Sequence, residues 1–417
     1  MSAREAYASR FNAWSARLPG ALSEPGFRRF ILSTFVWGTA HQAVTLAQGY
    51  TLFELTGSTL YLASLGAAVG VPQLLFSGAG GFLNDRLPRK PLLLAGSVAV
   101  LAAMAVVAAA YALNVLQPWH IVAAGAVQGG FLGLDWTTRN AFLPGVVSRP
   151  KLVSAVSADL TAFNLARVVA PLAGGAVLAA WGGPPAYAII SGLLAANVLV
   201  LLTLRVGNAV VREKQPPLWT DAGEIARFVR SDSIIGVNML FTAVNALLAG
   251  GLIYLMPAFA DKVFATDERG LGWLMTAVGA GSLVAGGILA VVKRVRGAGP
   301  FLLASNVLFA GFAALFAATG ALPAALTLVA AMGFFNSLHI SLGAAALQVA
   351  SPEDMRGRVF GVYEIAWGMF PLGGLVFGAL AEWFGLQPAV AGGAACVALF
   401  TLAVWAFSPK IRSLRFP

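Results

Sequence analysis

Twelve apolar stretches, each long enough to cross a bilayer, follow one another along this chain of 417 residues. A transmembrane helix needs about 20 predominantly apolar residues. The predicted helices, called spans 1 to 12, cover 29–54, 58–83, 90–112, 118–143, 152–180, 184–205, 232–260, 270–292, 299–320, 322–350, 358–383 and 387–408. Charged residues make up only 11% of the chain, whereas soluble domains contain about 25%. The sequence therefore predicts an all-α integral membrane protein.

An internal repeat divides the chain into two halves. Pro171-Leu172 in span 5 and Pro371-Leu372 in span 11 lie 200 residues apart, and a pair of glycines follows each within four residues. Duplicated bundles of this kind let secondary transporters place a binding site at the midplane and rock around it. We predict two pseudo-symmetric six-helix bundles, 27–205 and 232–408, with an N-terminal segment 1–26, a cytoplasmic central loop 206–231 and a tail 409–417. The predicted packing or hinge residues are Pro171, Gly174, Gly175, Pro371, Gly373 and Gly374.

Lysines and arginines predict the orientation of a membrane protein, because they concentrate on the cytoplasmic side. With both termini in the cytoplasm, the cytoplasmic regions hold 24 of the 27 basic residues. Lys262 and Arg269 fall outside, and Arg167 falls within span 5. We therefore interpret the net charge of +10 as a topology signal, and we predict no nucleic-acid partner.

Few residues of this chain suit a metal site or a reaction centre. The single cysteine, Cys396, excludes an internal disulfide, and only three histidines are present. The sequence contains no phosphate-binding Gly-x-x-x-x-Gly-Lys-Ser/Thr loop. A membrane-embedded transferase would need acids clustered at one membrane face, whereas the acids of this chain are scattered. We predict that the protein is not an enzyme and has no cofactor.

The charged stretch GGFLNDRLPRK interrupts the apolar sequence between spans 2 and 3. Its pattern, Gly81-x-x-x-Asp85-Arg86-x-x-Arg89-Lys90, resembles the signature loop of the major facilitator superfamily, although Pro88 replaces the usual glycine. The twelve spans and the six-plus-six duplication agree with that family. The resemblance implies the major facilitator fold and transport by alternating access.

The signature loop predicts a cytoplasmic gate between the two halves. A carboxylate such as Asp85 can accept hydrogen bonds from the free N–H groups at a helix start. By resemblance this start belongs to span 11, while Arg89 pairs with Asp135 at the end of span 4. Asp135 and Arg139 also have the i,i+4 spacing of an ion pair. The predicted gate comprises Gly81, Asp85, Arg86, Arg89, Lys90, Asp135, Arg139, Arg356 and Arg358. The alternative is a positively charged anchor with a tight turn.

Three longer stretches, beginning at Phe53, Asn140 and Arg356, resemble the bacterial exporter branch that includes the enterobactin exporter and macrolide efflux proteins. This resemblance implies export of a small, rather hydrophobic molecule across the bacterial inner membrane, by proton antiport. The antiporter arginine of span 4 is absent, because Gly125 stands at its place before Gln128. Proton coupling would then use other residues.

Ionisable residues inside a span cost about 2.5–3.5 kcal/mol on insertion scales and are functional candidates by default. Asp159 and Arg167 lie two helical turns apart on nearly one face of span 5. Glu364 in span 11 occupies the place of Asn164 in the repeat. We predict that Glu364, Asp159 and Arg167 couple proton movement to transport. The alternative for the span-5 residues is a structural pair.

Polar stripes mark the helices that line the cavity in this superfamily, spans 1, 4, 7 and 10. The predicted substrate cavity comprises Trp37, His41, Thr45, Gln48, Gln128, Asn164, Asn238, Thr242, Asn245, Asn336 and His339. For each residue alone, an interhelical hydrogen bond is the alternative. The expected partners are a small-molecule substrate, protons and the lipid bilayer, with the chain acting as a monomer. The remaining alternatives are an importer or a lipid or lysolipid flippase on the same fold, and a metal exporter that uses His41 and His339.

Overall fold

The computed structural model describes residues 20–204, 233–291, 298–351 and 356–412, and within these ranges every regular element is helical. The long helices are α1 Pro25–Thr56, α2 Thr59–Arg86, α3 Arg89–Ala112, α4 Pro118–Phe142, α5 Leu152–Trp181, α6 Gly183–Thr203, α7 Ser233–Lys262, α8 Glu268–Val291, α9 Ala298–Ala318, α10 Leu322–Ala350, α11 Arg356–Trp367, α12 Met369–Phe384 and α13 Leu386–Phe407. A short α14 follows at Pro409–Arg412, and 3-10 turns occupy Gly20–Ser23, Leu143–Gly145 and Arg149–Lys151. The predicted twelve-helix architecture is confirmed, with α11 and α12 together forming span 11. The central loop 206–231 lies outside the described residues.

Local sequence explains where several of these helices begin and end. Proline lies in the first turn of α1, α4, α6 and α10. A backbone N–H in that turn has no partner within the helix, so its absence in proline costs nothing there. The side chain of Ser58 caps α2 by accepting a hydrogen bond from the backbone N–H of Leu60. Gly57 ends α1 in the left-handed conformation, with φ of 62°, which glycine adopts without steric cost.

Ten helical segments of the described chain are long and apolar enough to span a membrane, and α1 and α4 are not among them. Both are long enough, at 32 and 25 residues. Their hydropathy is lowered by polar residues such as His41 and Gln48 in α1 and Asp135 and Arg139 in α4. These polar side chains face the protein interior rather than lipid, since all but the half-buried His41 are buried.

The helices form two halves, α1–α6 and α7–α13, that meet along two helix pairs. The N-terminal α5 packs on α8, and α2 packs on α12. Span 11 is the repeat partner of α5, and α8 is the repeat partner of α2. The two pairs therefore repeat one interface, as the pseudo-symmetry of the two bundles requires.

Both copies of the proline and glycine motif lie at this interface. A Cβ on Gly66 of α2 would lie 2.7 Å from the carbonyl oxygen of Pro371, and one on Gly175 of α5 would lie 3.0 Å from the Cα of Gly272. Small residues permit such close helix packing in membranes. Gly373 approaches the carbonyl of Leu247 within the C-terminal half, whereas Gly174 has only Leu46 nearby, at 3.8 Å.

The two prolines act differently on their helices. Pro171 lies inside the continuous α5, whereas span 11 is interrupted at Gly368, between α11 and α12. The ring of Pro371 opposes the carbonyl of residue 367, four positions earlier, which is the last residue of α11. A Cβ on Gly368 would collide with Leu74 of α2, so the interruption lies directly at the interface between the halves.

The bundle has two ends. We call the end with the Gly20–Ser23 turn and the α2–α3 and α4–α5 connections the termini end, and the opposite end the distal end. The α1–α2, α7–α8 and α12–α13 connections lie at the distal end.

Candidate transport pathway and gates

A buried polar triad joins α1, α3 and α6 inside the N-terminal half. The amide oxygen of Asn197 accepts a hydrogen bond from Ser33 Oγ at 2.7 Å, and its Nδ2 donates to Ser97 Oγ at 2.9 Å. Asn197 is fully buried. A polar group in apolar surroundings is costly unless it is hydrogen-bonded, so the triad stabilises this particular arrangement of three helices.

The C-terminal half contains an equivalent triad on the repeat partners of those helices, α7, α9 and α13. Asn245 Nδ2 donates to Asn306 Oδ1 at 2.8 Å, and Asn306 Nδ2 donates to Thr401 Oγ1 at 2.7 Å. All three residues are at least 99% buried. The amide of each triad that bridges its two neighbours is on α6 in one half and on α9 in the other.

An ion pair extends the N-terminal triad. Arg139 Nε lies 2.7 Å from Asp135 Oδ2, so the pair expected from i,i+4 spacing is present. Arg139 Nη1 donates to Ser33 Oγ at 3.2 Å, and the guanidinium carbon lies 4.7 Å from the ring centroid of Trp37. The Arg139 charge is thus compensated by a carboxylate, a hydroxyl and an aromatic face.

An aromatic cluster adjoins this pair. The ring of Trp37 stacks on those of His41 and Phe163 at centroid distances of 5.8 Å, and Trp136 packs against Trp37 and Phe163. Gln128 Nε2 lies 3.2 Å from His41 Nδ1. Trp37, His41, Gln128 and Asp135 line a narrow pocket with space for about two water molecules. Of the predicted cavity residues, Trp37, His41 and Gln128 form a set inside the N-terminal half.

Four of the other predicted cavity residues, Gln48, Asn238, Asn245 and His339, are buried between helices in this structure, and their role in a cavity stays a prediction. Asn238 Nδ2 donates to the carbonyl of Gly343 at 2.6 Å, joining α7 to α10. His339 is 1% exposed and packs edge-on against Phe241. Gln48 is also 1% exposed. Helical spacing shows that polar residues share one face, but it does not show which neighbour that face meets.

The hydroxyls of Thr45 and Thr242 donate to carbonyls one turn earlier in their own helices, those of His41 and Asn238. Asn336 is 9% exposed, and its Oδ1 has no donor among the described residues. Asn164 is half-buried. These four therefore remain candidate cavity residues because of their positions in the helices, and none of them makes a contact that indicates a particular ligand.

Asp159 and Arg167 do not form an ion pair with each other. The ion pairs among the described side chains are Asp135–Arg139 and Glu24–Lys151. Eight residues of helix separate Asp159 from Arg167 by about 12 Å, which is too far for a direct contact. Asp159 lies beside Thr34 of α1, and its Oδ1 has no donor among the described residues.

Arg167 lies at mid-depth, where α5 meets α8. Its carbonyl oxygen would be 2.6 Å from a Cβ on Gly279. No carboxylate among the described side chains pairs with it.

Basic residues at the termini end bind the ends of helices. Arg89 Nη1 donates to the carbonyl of Ala141 near the end of α4, and Lys90 Nζ donates to the carbonyls of Leu202 and Leu204 at 2.8 and 2.7 Å. Arg89 and Asp135 do not pair with each other in this structure, because Asp135 forms its ion pair with Arg139, one turn along its own helix. Carbonyls at a helix C-terminus carry partial negative charge, which attracts these cations.

The remaining gate and coupling residues cannot be compared in the same way. Gly81 and Asp85 lie on α2, and Arg356, Arg358 and Glu364 lie on α11. The side chains of Asp85, Arg356, Arg358 and Glu364 lie outside what the structure describes, and so do the surroundings of Gly81. Arg86 is exposed at the end of α2. The contact of Asp85 with the start of span 11 stays a prediction.

Side chains at the distal end join the two halves, and sequence reasoning missed them. Tyr50 Oη of α1 donates to Glu268 Oε1 of α8 at 2.6 Å. Thr59 Oγ1 at the start of α2 donates to Glu382 Oε2 of α12 at 2.7 Å. Lys262 Nζ of α7 donates to the carbonyl of Gly57 at 2.9 Å. We call Tyr50, Thr59, Lys262, Glu268 and Glu382 the distal seal.

One sequence signal pointed toward this seal. Lys262 is one of only two basic residues on the predicted outer side, and Glu54, Glu268 and Glu382 stand at helix ends on that same side. The pairing of these groups across two halves requires the fold. The seal links the two halves at the distal end of the bundle.

Two pseudo-symmetric six-helix halves, with polar groups at mid-depth and hydrogen bonds between the halves at one end, have the architecture of a membrane transporter. The family model for transmembrane secretion effectors matches residues 20–414. The chain belongs to this family, which is part of the major facilitator superfamily. Its members are membrane transporters of the efflux type rather than enzymes.

Two curated relatives cover nearly the whole chain. The multidrug efflux pump Tap of Mycolicibacterium fortuitum is 27% identical over 396 residues, covering 90% of this chain and 94% of the relative. The enterobactin exporter EntS of Escherichia coli is 25% identical over 394 residues, covering 90% and 92%.

Solved structures share the fold. The nucleoside transporter NupG superposes with a TM-score of 0.73 at 14% identity, covering 93% of this chain and all of that chain. A D-xylose–proton symporter gives a TM-score of 0.71 at 14% identity, covering 93% and 99%. At this identity the likeness establishes the fold alone.

Proposed function

We propose that this efflux-type transporter exports a small hydrophobic or amphipathic molecule by alternating access, with protons moving the opposite way. The relatives support the substrate class, because one is named a multidrug pump and another an enterobactin exporter. The observation that carries proton coupling is the pair of ionisable residues Asp159 and Arg167, which lie within a span without an ion-pair partner among the described side chains.

The distal seal supports a transport cycle in which substrate enters from the termini end. Arg28, Arg29, Arg89, Lys90 and Lys151 all lie at that end, so the positive-inside tendency supports a cytoplasmic location for it and for both chain termini. Proton arrival from the distal side would then accompany opening of the seal and release of the substrate. We also propose that the protein lies in the bacterial inner membrane. It would act as a monomer, with each half forming one wall of the transport pathway.

Glu364 is the proposed proton carrier, with Asp159 and Arg167 as coupled charges. The position of Glu364 supports this role, because it lies on α11 four residues before the interruption at Gly368. Rocking of the two halves against each other would open this position alternately to the two sides of the membrane. A carboxylate that exchanges protons on both sides would link proton entry to substrate exit.

A substrate panel assayed in proteoliposomes with an imposed pH gradient tests this function. We expect Glu364→Gln to abolish gradient-driven efflux while substrate binding and downhill exchange remain measurable. Glu24→Gln is the matched control, since it removes a carboxylate outside the spans. Gradient-driven transport by Glu364→Gln at the unmutated rate would remove Glu364 from the mechanism, and Asp159→Asn would be assayed next.

A further inference from the structure

An apolar groove opens on the outer face of the C-terminal half, between α7, α12 and α13. Its walls include Val244 and Leu248 of α7, Phe377 and Leu380 of α12, and Cys396 of α13. Its volume is about 480 Å³, and each of its lining residues is apolar. It is separate from the gates and from the polar pocket of the N-terminal half.

Two glycines of α13 create the groove. Nothing lies within 4 Å of the position that a Cβ on Gly392 would take, so this part of the helix surface is bare. A Cβ on Gly393 would collide with the ring of Phe377, so this glycine lets the ring lie directly against the α13 backbone. In the other half, the corresponding helices α1 and α6 pack along more of their length than α7 and α13 do.

The groove has the length of one membrane leaflet. It runs from Phe384 and Pro388 at the distal end to Val244 and Val397 at mid-depth. The nine-residue step from Pro388 to Val397 along α13 corresponds to about 13 Å. Half of the hydrocarbon core of a bilayer is about 15 Å thick.

The groove is continuous with the lipid-contacting surface of this multi-pass membrane protein. Cys396 is exposed beside it, and Leu399 and Leu402 on the same helix are 66% and 53% exposed. Trp383 and Phe384, at its distal mouth, are 78% and 64% exposed. Aromatic side chains of this kind mark the headgroup level of a membrane.

We propose that this groove binds one acyl chain of a phospholipid from the distal leaflet. The acyl chain supplies apolar atoms to walls that would otherwise lack packing partners on one side. Its headgroup lies at the level of Trp383. The occupant contacts α12, the helix that follows the interruption at Gly368 and packs on α2, so the lipid bears on the interface between the halves.

Photo-crosslinking in proteoliposomes tests this site. The probe is phosphatidylcholine with a diazirine in the middle of one acyl chain, and peptide mass spectrometry locates the label on the full-length protein. We expect labelling concentrated on the groove-facing residues of α7, α12 and α13. Gly392→Leu, which fills the groove where space is open, should reduce this labelling severalfold. The matched control is Gly311→Leu on α9, another exposed glycine with open space around it, which should leave the groove labelling unchanged.

A second probe with the diazirine on the headgroup should label the region of Trp383 and leave the depth of the groove unlabelled. Uniform labelling around all lipid-facing helices, or equal loss in Gly392→Leu and Gly311→Leu, would overturn the proposal. Label from the headgroup probe at Cys396 would overturn it as well. Failure of the transport assay with Glu364→Gln has no bearing on these results, because the labelling needs no gradient or substrate.

Discussion

The two halves of the molecule use the same buried scaffold but carry different charges. In each half, the first, third and last helices are joined by one asparagine that bonds a residue on each of the other two helices. This asparagine is Asn197 in the N-terminal half and Asn306 in the C-terminal half. The N-terminal half adds the Asp135–Arg139 pair to this scaffold, together with Asp159 and Arg167 on α5. In the C-terminal half, the described polar side chains at comparable depth are neutral amides, hydroxyls and one histidine.

In the sequence, polar residues that hold helices together and charged residues with a further role look alike, and the difference between the halves helps to tell them apart. Neutral triads suffice to hold three helices together, because the C-terminal half does so without an ion pair. The charges of the N-terminal half are therefore not required for packing of this kind, which is consistent with the coupling role proposed for Asp159 and Arg167. Under the proposed function, transport depends on an uneven distribution of charge between two pseudo-symmetric halves. Asp159 and Arg167 belong to the N-terminal half, and Glu364 is the proposed proton carrier in the C-terminal half.

Breaking the ion pair should have the largest effect on stability. Asp135→Asn leaves the buried Arg139 without its carboxylate, and loss of one partner of a buried pair costs about 3–5 kcal/mol. We expect a marked fall in the apparent unfolding temperature in detergent. The double variant Asp135→Leu with Arg139→Leu should recover much of it. An unfolding temperature for Asp135→Asn equal to that of the unmutated protein would contradict a compensated buried charge.

Removal of the bridging amides should cost less, and similarly in both halves. Asn197→Leu and Asn306→Leu each leave two buried polar partners with fewer hydrogen bonds, which costs about 1–3 kcal/mol per site. Thr242→Val is the control, because that hydroxyl bonds only its own helix. Thermal unfolding of the three variants decides the matter. A large effect in one half alone would show that the triads are not equivalent.

The distal seal and the predicted cytoplasmic gate should respond in opposite directions. Tyr50→Phe removes the hydrogen bond to Glu268, which is worth about 0.5–1.5 kcal/mol, and so raises the distal-open population. Asp85→Asn should weaken the predicted contact with span 11, favour opening at the termini end and cut transport. Accessibility of cysteines introduced at each end, in a Cys396→Ser background, measures both shifts. Identical accessibility in the two variants would break the comparison between the two ends.

The smallest expected effect concerns Glu24, which precedes α1 at the termini end. A hydrogen bond from Ser148 Oγ at 2.6 Å lowers the pKa of this carboxyl, with Lys151 3.3 Å away. A lowered folded-state pKa stabilises the protein above the unfolded value of 4.5, and the contribution is lost as pH falls through the folded value. Because the group is partly exposed at the surface, the effect should stay below about 1 kcal/mol. Unfolding of Ser148→Ala at pH 7 and pH 4 checks it: the difference from the unmutated protein should shrink at pH 4.

Much of the fold followed from the sequence because its cause is local. The length of each apolar run set twelve helices, and proline and glycine set several of their ends. The repeat around Pro171 and Pro371 correctly predicted two related bundles. The pair of Asp135 with Arg139 was also accessible, since i,i+4 spacing on a helix brings two side chains together.

Contacts between distant helices could not be predicted in the same way. The sequence indicated a polar face on span 7, but only the packed structure directs Asn245 toward Asn306 rather than toward a cavity. The distal seal joins Tyr50 to Glu268 across 218 positions of the chain, and no local pattern encodes that meeting.

The twin prolines separate what the sequence determined from what tertiary structure decided. The sequence determined that each proline removes one backbone N–H and strains the preceding turn. It did not determine that α5 would stay continuous while span 11 would part at Gly368. That outcome depends on the neighbours, because Gly368 lies directly against Leu74 of α2, and a Cβ there would force the Leu74 side chain to shift. Local chemistry sets the tendency of each segment, and packing between the halves selects which tendency is realised.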